Sequence, residues 1–255
     1  MTGRAGEGRA DRSPAEEEDS PRRLVAEIER EVTACRRCPR LVAWREEAAK
    51  HPPKRYAGTP YWAKPVPGFG DADARLLLVG LAPAAHGGNR TGRIFTGDRS
   101  GDWLFRALYR AGLANQSLSR DLQDGLRLSD CFVTAAVRCC PPRNRPLPSE
   151  RRNCFPFLAR ELEALVQVRV VIALGGIAFE TLLRWVRERW PEETKRLLPT
   201  RTPFSHGAEV ALPGNRILLG SYHPSQQNTF TGRLTEEMFE AVFARARSIL
   251  GRAGT

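Results

Sequence analysis

The chain has 255 residues, 41% of them apolar, with 40 Lys and Arg against 29 Asp and Glu and hence a formal net charge of +11. That length accommodates one ordinary α/β domain with tails, and no apolar run approaches the roughly 18 residues a membrane helix needs, which argues against a helical membrane protein. The cationic excess suits a polyanionic partner, because each neutralised phosphate releases counterions, although Arg-rich solvated faces produce the same balance without one.

Residues 1–23 are dense in Gly, Arg, Glu, Ser and Pro and offer almost nothing to bury. They read as a disordered, solvated tail ahead of a folded domain over 24–252. The segment has no apolar secretory core, and the acidic run Glu16-Glu17-Glu18-Asp19 is unlike a transit peptide, so a cytoplasmic protein is expected.

Helical periodicity over 24–33 leads into Cys35-Arg36-Arg37-Cys38-Pro39, which places a cysteine pair at a helix exit. Residues 52–70, with several prolines, Tyr56, Tyr61 and Trp62, read as a long loop of the kind that often carries function. Short apolar runs at 75–80, 131–137, 168–174 and 216–220 fit fully buried strands. Helical patterns occupy 102–111, 149–165, 176–189 and 236–250. Strands alternating with helices predict a parallel sheet of four strands covered on both faces, with a ligand crevice beyond the carboxyl ends of the strands. The segments that border such a crevice are 80–101, 138–145, 175–176 and 221–232.

Six cysteines are present: Cys35, Cys38, Cys131, Cys139, Cys140 and Cys154. Without a secretory signal a metal or cluster site is a better use for them than disulfides. Cys131, inside a predicted strand, reads as a small buried hydrophobe.

Two post-strand segments carry the chemistry. Residues 80–98 form a loop rich in glycine and small residues, where backbone can approach a ligand closely. A phosphate-binding or merely turning loop is the alternative reading, but no Walker lysine and no G-x-G-x-x-G follows Gly80. Within it, Phe95 suits a stacking platform for a base. Residues 221–232 contain His223, fixed by Pro224 at the mouth of the crevice, where an imidazole can donate to an oxygen that becomes negative as a bond breaks.

Taken together, Gly80-Leu81-Ala82-Pro83, Thr91-Gly92-Arg93-Ile94-Phe95 and His223-Pro224-Ser225 resemble the uracil-DNA glycosylase superfamily. The strings Ala85-His86-Gly87-Gly88-Asn89-Arg90-Thr91-Gly92-Arg93 and His223-Pro224-Ser225-Gln226-Gln227-Asn228 look like its type B branch, the fifth family. The resemblance extends over residues 35–250. It implies a three-layer α/β/α sandwich around the four-stranded parallel sheet. It also implies an enzyme that removes uracil, with hypoxanthine or xanthine as further bases, from double-stranded DNA in base excision repair, and a monomer is expected.

The same resemblance implies a structural [4Fe–4S] cluster on Cys35, Cys38, Cys139 and Cys154, thiolates being soft ligands suited to iron–sulfur chemistry. Cys140 adjoins Cys139 as an alternative ligand, and four thiols would also suit zinc. By the same correspondence an everted base stacks on Phe95, backbone around Ala82, Pro83 and Ala84 lines its sugar side, and His223 stabilises the uracil O2. Two departures stand out. Ala82 replaces the Asp or Asn that positions water in many relatives, leaving Asn89 and Asp98 as the nearest candidates, and Ala135 stands where an asparagine often reads the uracil edge. DNA contacts are expected from Arg90, Arg93, Ser225, Gln226, Gln227 and Asn228. A non-catalytic iron–sulfur nucleic-acid-binding protein is the competing reading, against which a histidine facing a closed pocket argues.

Overall fold

A computed structural model describes residues 20–252. Most of the expected tail, residues 1–19, lies outside the described residues. Helix α1 (Pro21–Ala34) starts earlier than the apolar periodicity suggests, because its beginning is marked by capping rather than burial. The Ser20 hydroxyl accepts from the Arg23 N–H, and Pro21 occupies the first turn, where its missing N–H removes no helical bond. Helix α2 (Pro39–Lys50) follows the cysteine pair and was not expected. Its buried face is Leu41, Val42, Arg45 and Ala48, and a cation in the middle of that stripe conceals the pattern.

The remaining elements in chain order are β1 (Phe69–Gly70), β2 (Leu76–Gly80), α3 (Gly88–Thr91), α4 (Arg99–Arg110), β3 (Cys131–Ala135), α5 (Pro148–Ala164) and β4 (Val170–Leu174). Then come α6 (Gly176–Arg189), α7 (Pro191–Leu197), β5 (Glu209–Leu212), β6 (Arg216–Ser221), α8 (Gln226–Phe230) and α9 (Glu236–Arg252). Among the described residues the sheet has six strands in the order β1-β3-β2-β4-β6-β5. The four central strands run parallel as expected, while the short β1 and the half-exposed β5 add antiparallel edges. Two residues of β1 and the mixed exposure of β5 are too little signal for a sequence pattern.

Alternation along each strand divides the core into two layers. Leu76, Leu78, Val133, Val170 and Ile172 face α4 and α9, where Leu104, Phe105, Leu108, Phe239 and Phe243 meet them. Leu77, Val79, Phe132, Val171 and Leu218 face α5 and α6, packing on Leu158, Leu162, Phe179 and Leu182. This is the expected three-layer sandwich. The chain passes from β2 to β3 on one side and then to β4 on the other. The crevice therefore opens where the strand order reverses, beyond Gly80 at the carboxyl end of β2.

Candidate active site

The ends of β2 and β6 converge on one groove. After β2, the side of Gly80 lies against the ring of Phe95, and a Cβ there would come within 2.7 Å of its Cζ. Glycine is thus what lets the edge of the aromatic ring come so close to the strand end. Phe95 itself adopts φ +53, the left-handed region that a bulky residue rarely occupies. After β6, His223 places its imidazole 5.6 Å from the Phe95 ring, centroid to centroid, with an interplanar angle of 29°. Its backbone carbonyl accepts from Asn228 Nδ2 at 2.9 Å and from the Ser225 N–H at 2.8 Å. Burial pushes the imidazole down to about 4, so at neutral pH the ring is uncharged.

The groove is walled by Ala82, Pro83, Ala84, Arg90, Phe95, Asp98, His223, Ser225, Gln226 and Gln227, all expected there. Residues 143–145, within the expected segment 138–145, also border it, whereas sequence reasoning missed two stretches of the rim: Arg55, Tyr56 and Thr59 on the long loop, and residues 119–123.

Four expected site residues are placed differently. Asn89 is 1% exposed, and its Nδ2 donates to the carbonyls of Arg45 at 3.1 Å and Ala85 at 3.3 Å. It pins the loop from behind and does not line the groove. Arg93 is 3% exposed and is no DNA contact. It pairs with Asp124 at 2.5 Å and donates to Thr96 Oγ1 and Ser119 Oγ, each at 3.0 Å, so it staples the loop from inside. Burial tends to raise the Asp124 carboxyl, but the Arg93 bond and the N–H groups of Arg120 and Leu126 hold it below the usual carboxylate range. Ala135, the last residue of β3, is buried in the layer facing α4 and α9 and reads no base. Asn228 holds the His223 carbonyl and is not part of the groove wall.

Asp98 does line the groove and also caps α4, its Oδ1 accepting from the Gly101 N–H at 3.0 Å. Burial raises its carboxyl, against backbone donors from Gly101 and Ser100. Its Oδ2 lies against Gly87, where a Cβ would collide with it.

A second constellation lies behind the groove. Cys35 at the end of α1, Cys38 at the start of α2, Cys139 after β3 and Cys154 on α5 border one small cavity with Leu41, Val42 and Val137. Cys140 is buried but does not border it, and Cys131 is the buried strand residue expected. Nitrogen donors point at three of the sulfurs: Arg45 Nη1 to Cys139 at 3.1 Å, the Arg138 N–H to Cys154 at 3.2 Å, and Asn153 Nδ2 to Cys38 at 3.7 Å. Burial pushes the thiol of Cys139 up to about 11 and that of Cys154 up to about 12. Among the described residues no group of three or more His, Cys, Asp or Glu side chains converges closely enough for a single metal ion. The side chain of Ala82 packs on this cluster, so the cysteine site and the groove share a wall.

The family profile described as the uracil DNA glycosylase superfamily matches residues 67–247. The chain is 53% identical over 220 residues to the type-5 uracil-DNA glycosylase of Thermus thermophilus, covering 86% of this chain and 95% of the relative. It is 47% identical over 228 residues to the type-5 enzyme of Mycobacterium tuberculosis, covering 89% and 82%. To the type-5 enzyme of Pyrobaculum aerophilum it is 44% identical over 232 residues, covering 91% and 96%. The chain belongs to the uracil DNA glycosylase superfamily, on the branch of the type-5 enzymes.

Proposed function

We propose that the protein hydrolyses the N-glycosidic bond of uracil in double-stranded DNA, with hypoxanthine and xanthine as further substrates, and so initiates base excision repair. The observation that carries this is the approach of Phe95 and His223 at the reversal point of the sheet. A buried glycosidic bond is out of reach, so the nucleotide must be everted at a cost of a few kcal/mol. Two rings that sandwich a base stand about 7 Å apart, twice the roughly 3.5 Å carbon contact distance. At 5.6 Å Phe95 and His223 are too close for that. The base therefore lies against Phe95 with the imidazole at its edge.

As the bond to the sugar lengthens, negative charge gathers on the base, and a neutral His223 N–H donating to O2 favours that charge without transferring a proton. With no polar side chain at Ala82 and none reaching in from Ala135, backbone around Ala82 to Ala84 reads the base, which relaxes selectivity. Asp98 is the group that orients water, since its carboxylate borders the groove while Asn89 is turned away. The test is the formation of abasic sites in duplexes bearing uracil, hypoxanthine or xanthine, with thymine as control. Release of uracil well above the thymine background is expected, and Asp98→Asn, which keeps the cap but removes the charge, should slow it at little change in Tm. Absence of abasic sites from the uracil duplex would end the glycosylase reading.

The four bordering cysteines fit a [4Fe–4S] cluster. They share an apolar cavity, and three of the sulfurs receive N–H donors of the kind that stabilise thiolates. The cluster supplies structural cross-linking rather than a step of the reaction, tying α1 and α2 to α5 behind the Ala82 wall. Iron and acid-labile sulfide should co-purify with the anaerobically prepared protein, be lost in Cys139→Ser and be retained in Cys140→Ser. Stoichiometric zinc in a colourless protein would sink the cluster assignment.

A further inference from the structure

The long loop over 52–63 is bonded back onto the first groove loop, the N–H groups of Trp62 and Ala63 donating to the carbonyls of Arg90 and Asn89 at 2.9 and 3.0 Å. This seam brings together a cationic and aromatic corner that the chemistry above leaves unused. Tyr56 lies at its centre, with the guanidinium carbons of Arg90 and Arg55 at 4.2 and 4.8 Å from its ring. His86 stands 6.3 Å from that ring and meets Tyr61 edge-on at 6.1 Å. The Tyr61 hydroxyl lies 2.9 Å from His86 Nδ1. Arg90 is braced by the carbonyls of His86 and Gly97 at 2.9 and 3.1 Å. Arg55, Tyr56, Thr59, His86 and Arg90 all open on the same groove as Phe95 and His223.

We propose that Arg55, Arg90 and His86 form a proton-linked clamp for one backbone phosphate of the DNA strand that carries the everted base. This rests on the DNA substrate of the proposed function and adds a subsite to it. Two guanidinium groups stacked on one phenol ring stand in mutual repulsion, which a phosphodiester anion relieves. With the Tyr61 hydroxyl donating to Nδ1, the neutral imidazole carries its proton on Nε2 and can donate it to a phosphate oxygen. When the ring gains a second proton, Nδ1 becomes a donor and the same hydroxyl can turn to accept. The groups facing His86 are the phenols of Tyr56 and Tyr61 and the cations Arg55 and Arg90. The bordering acid is Asp98, packed against Gly87 and attracted to Arg90.

In the free protein burial, and then the charges of Arg55 and Arg90, hold the His86 imidazole below its ordinary value, so it is neutral near pH 7. A bound phosphate cancels those charges and pairs with an imidazolium, raising that value. Binding DNA then takes up a proton, and affinity rises as pH falls.

The test is the Kd of the full chain for a duplex carrying a non-hydrolysable deoxyuridine analogue, measured from pH 5.5 to 8 at fixed ionic strength. Log affinity should increase toward acid with a slope approaching one proton. His86→Gln should abolish that slope while still binding DNA, and Tyr61→Phe should weaken it. Arg55→Ala should reduce the slope of log affinity against log salt by about 1, as loss of one phosphate contact does. Thermal melting of each variant identifies any that fail to fold, and Arg55, exposed on the loop, provides the variant least exposed to that failure. A wild-type pH slope retained in His86→Gln would overturn the clamp. So would a His86→Gln effect confined to the rate of uracil release at saturating DNA, which would place the imidazole at the sugar instead. Failure of the unmodified protein to release uracil would remove the glycosylase reading and leave the affinity result to stand by itself.

Discussion

Replacing His223 with alanine is expected to lower the single-turnover rate of uracil release by about 10²–10³, the usual cost of removing one donor to a developing oxyanion. Affinity for uracil-containing duplex should change little, because the imidazole meets the base edge and not the backbone. The pH dependence separates this role from proton transfer. With the ring held down to about 4 by burial, His223 is already neutral across pH 5.5–8 and contributes no inflection there. Protonation enters only as pH falls toward that value. An acid limb with a midpoint near the ordinary histidine value, present in the unmodified protein and absent in His223→Ala, would show the ring to be acting as a titrating acid or base. The geometry supports the donor role: the Ser225 N–H before α8 and Asn228 Nδ2 within it both donate to the His223 carbonyl and so fix the backbone that carries the ring.

The parallel core was legible because its strands are buried on both faces, which turns residues 76–80 and 170–174 into uninterrupted apolar runs. The runs overshoot where burial continues past the sheet. Ala136 and Val137 lie beyond the end of β3 yet still donate to the carbonyls of Gly80 and Leu81 at 2.9 Å, so the apolar run extends past the strand. Helix α6 matched its periodic pattern from end to end, whereas α2 was hidden by the buried cation Arg45.

In the site, Phe95 and His223 were legible because each is placed by its own strand end. Arg93 and Asn89 were not. Their partners are Asp124, 31 positions away, and the carbonyl of Arg45, 44 positions away, and no local pattern distinguishes a loop arginine bound for the interior from one bound for a phosphate. The corner of Arg55, Tyr56 and His86 was invisible for a related reason, since it exists only through the backbone seam between two loops that carry no periodicity.

The largest loss of stability is expected at the buried pair that joins the sheet to the cysteine site. Arg138 and Glu161 are 1% and 2% exposed and meet at 2.5 Å, and Thr134 Oγ1 donates to the same carboxylate oxygen at 2.7 Å. Two further guanidinium nitrogens of Arg138, Nε and Nη1, are buried with no partner among the described residues, so Glu161 carries the neutralisation of that cation. Glu161→Gln leaves the charge uncompensated in the layer beside β3. The expected cost is about 3–5 kcal/mol, or a fall in Tm of roughly 6–20 °C for a domain of this size. The double replacement Arg138→Met with Glu161→Leu should recover most of that loss, because an apolar pair of similar volume avoids the desolvation of both charges. The backbone N–H of Arg138 that donates to Cys154 survives in either variant, so the cysteine cavity should keep its donor while the side-chain pair is tested by itself. A Tm unchanged in Glu161→Gln would mean that water or a relaxed backbone already reaches this pair, and that the link between the sheet and the cysteines is carried by packing alone.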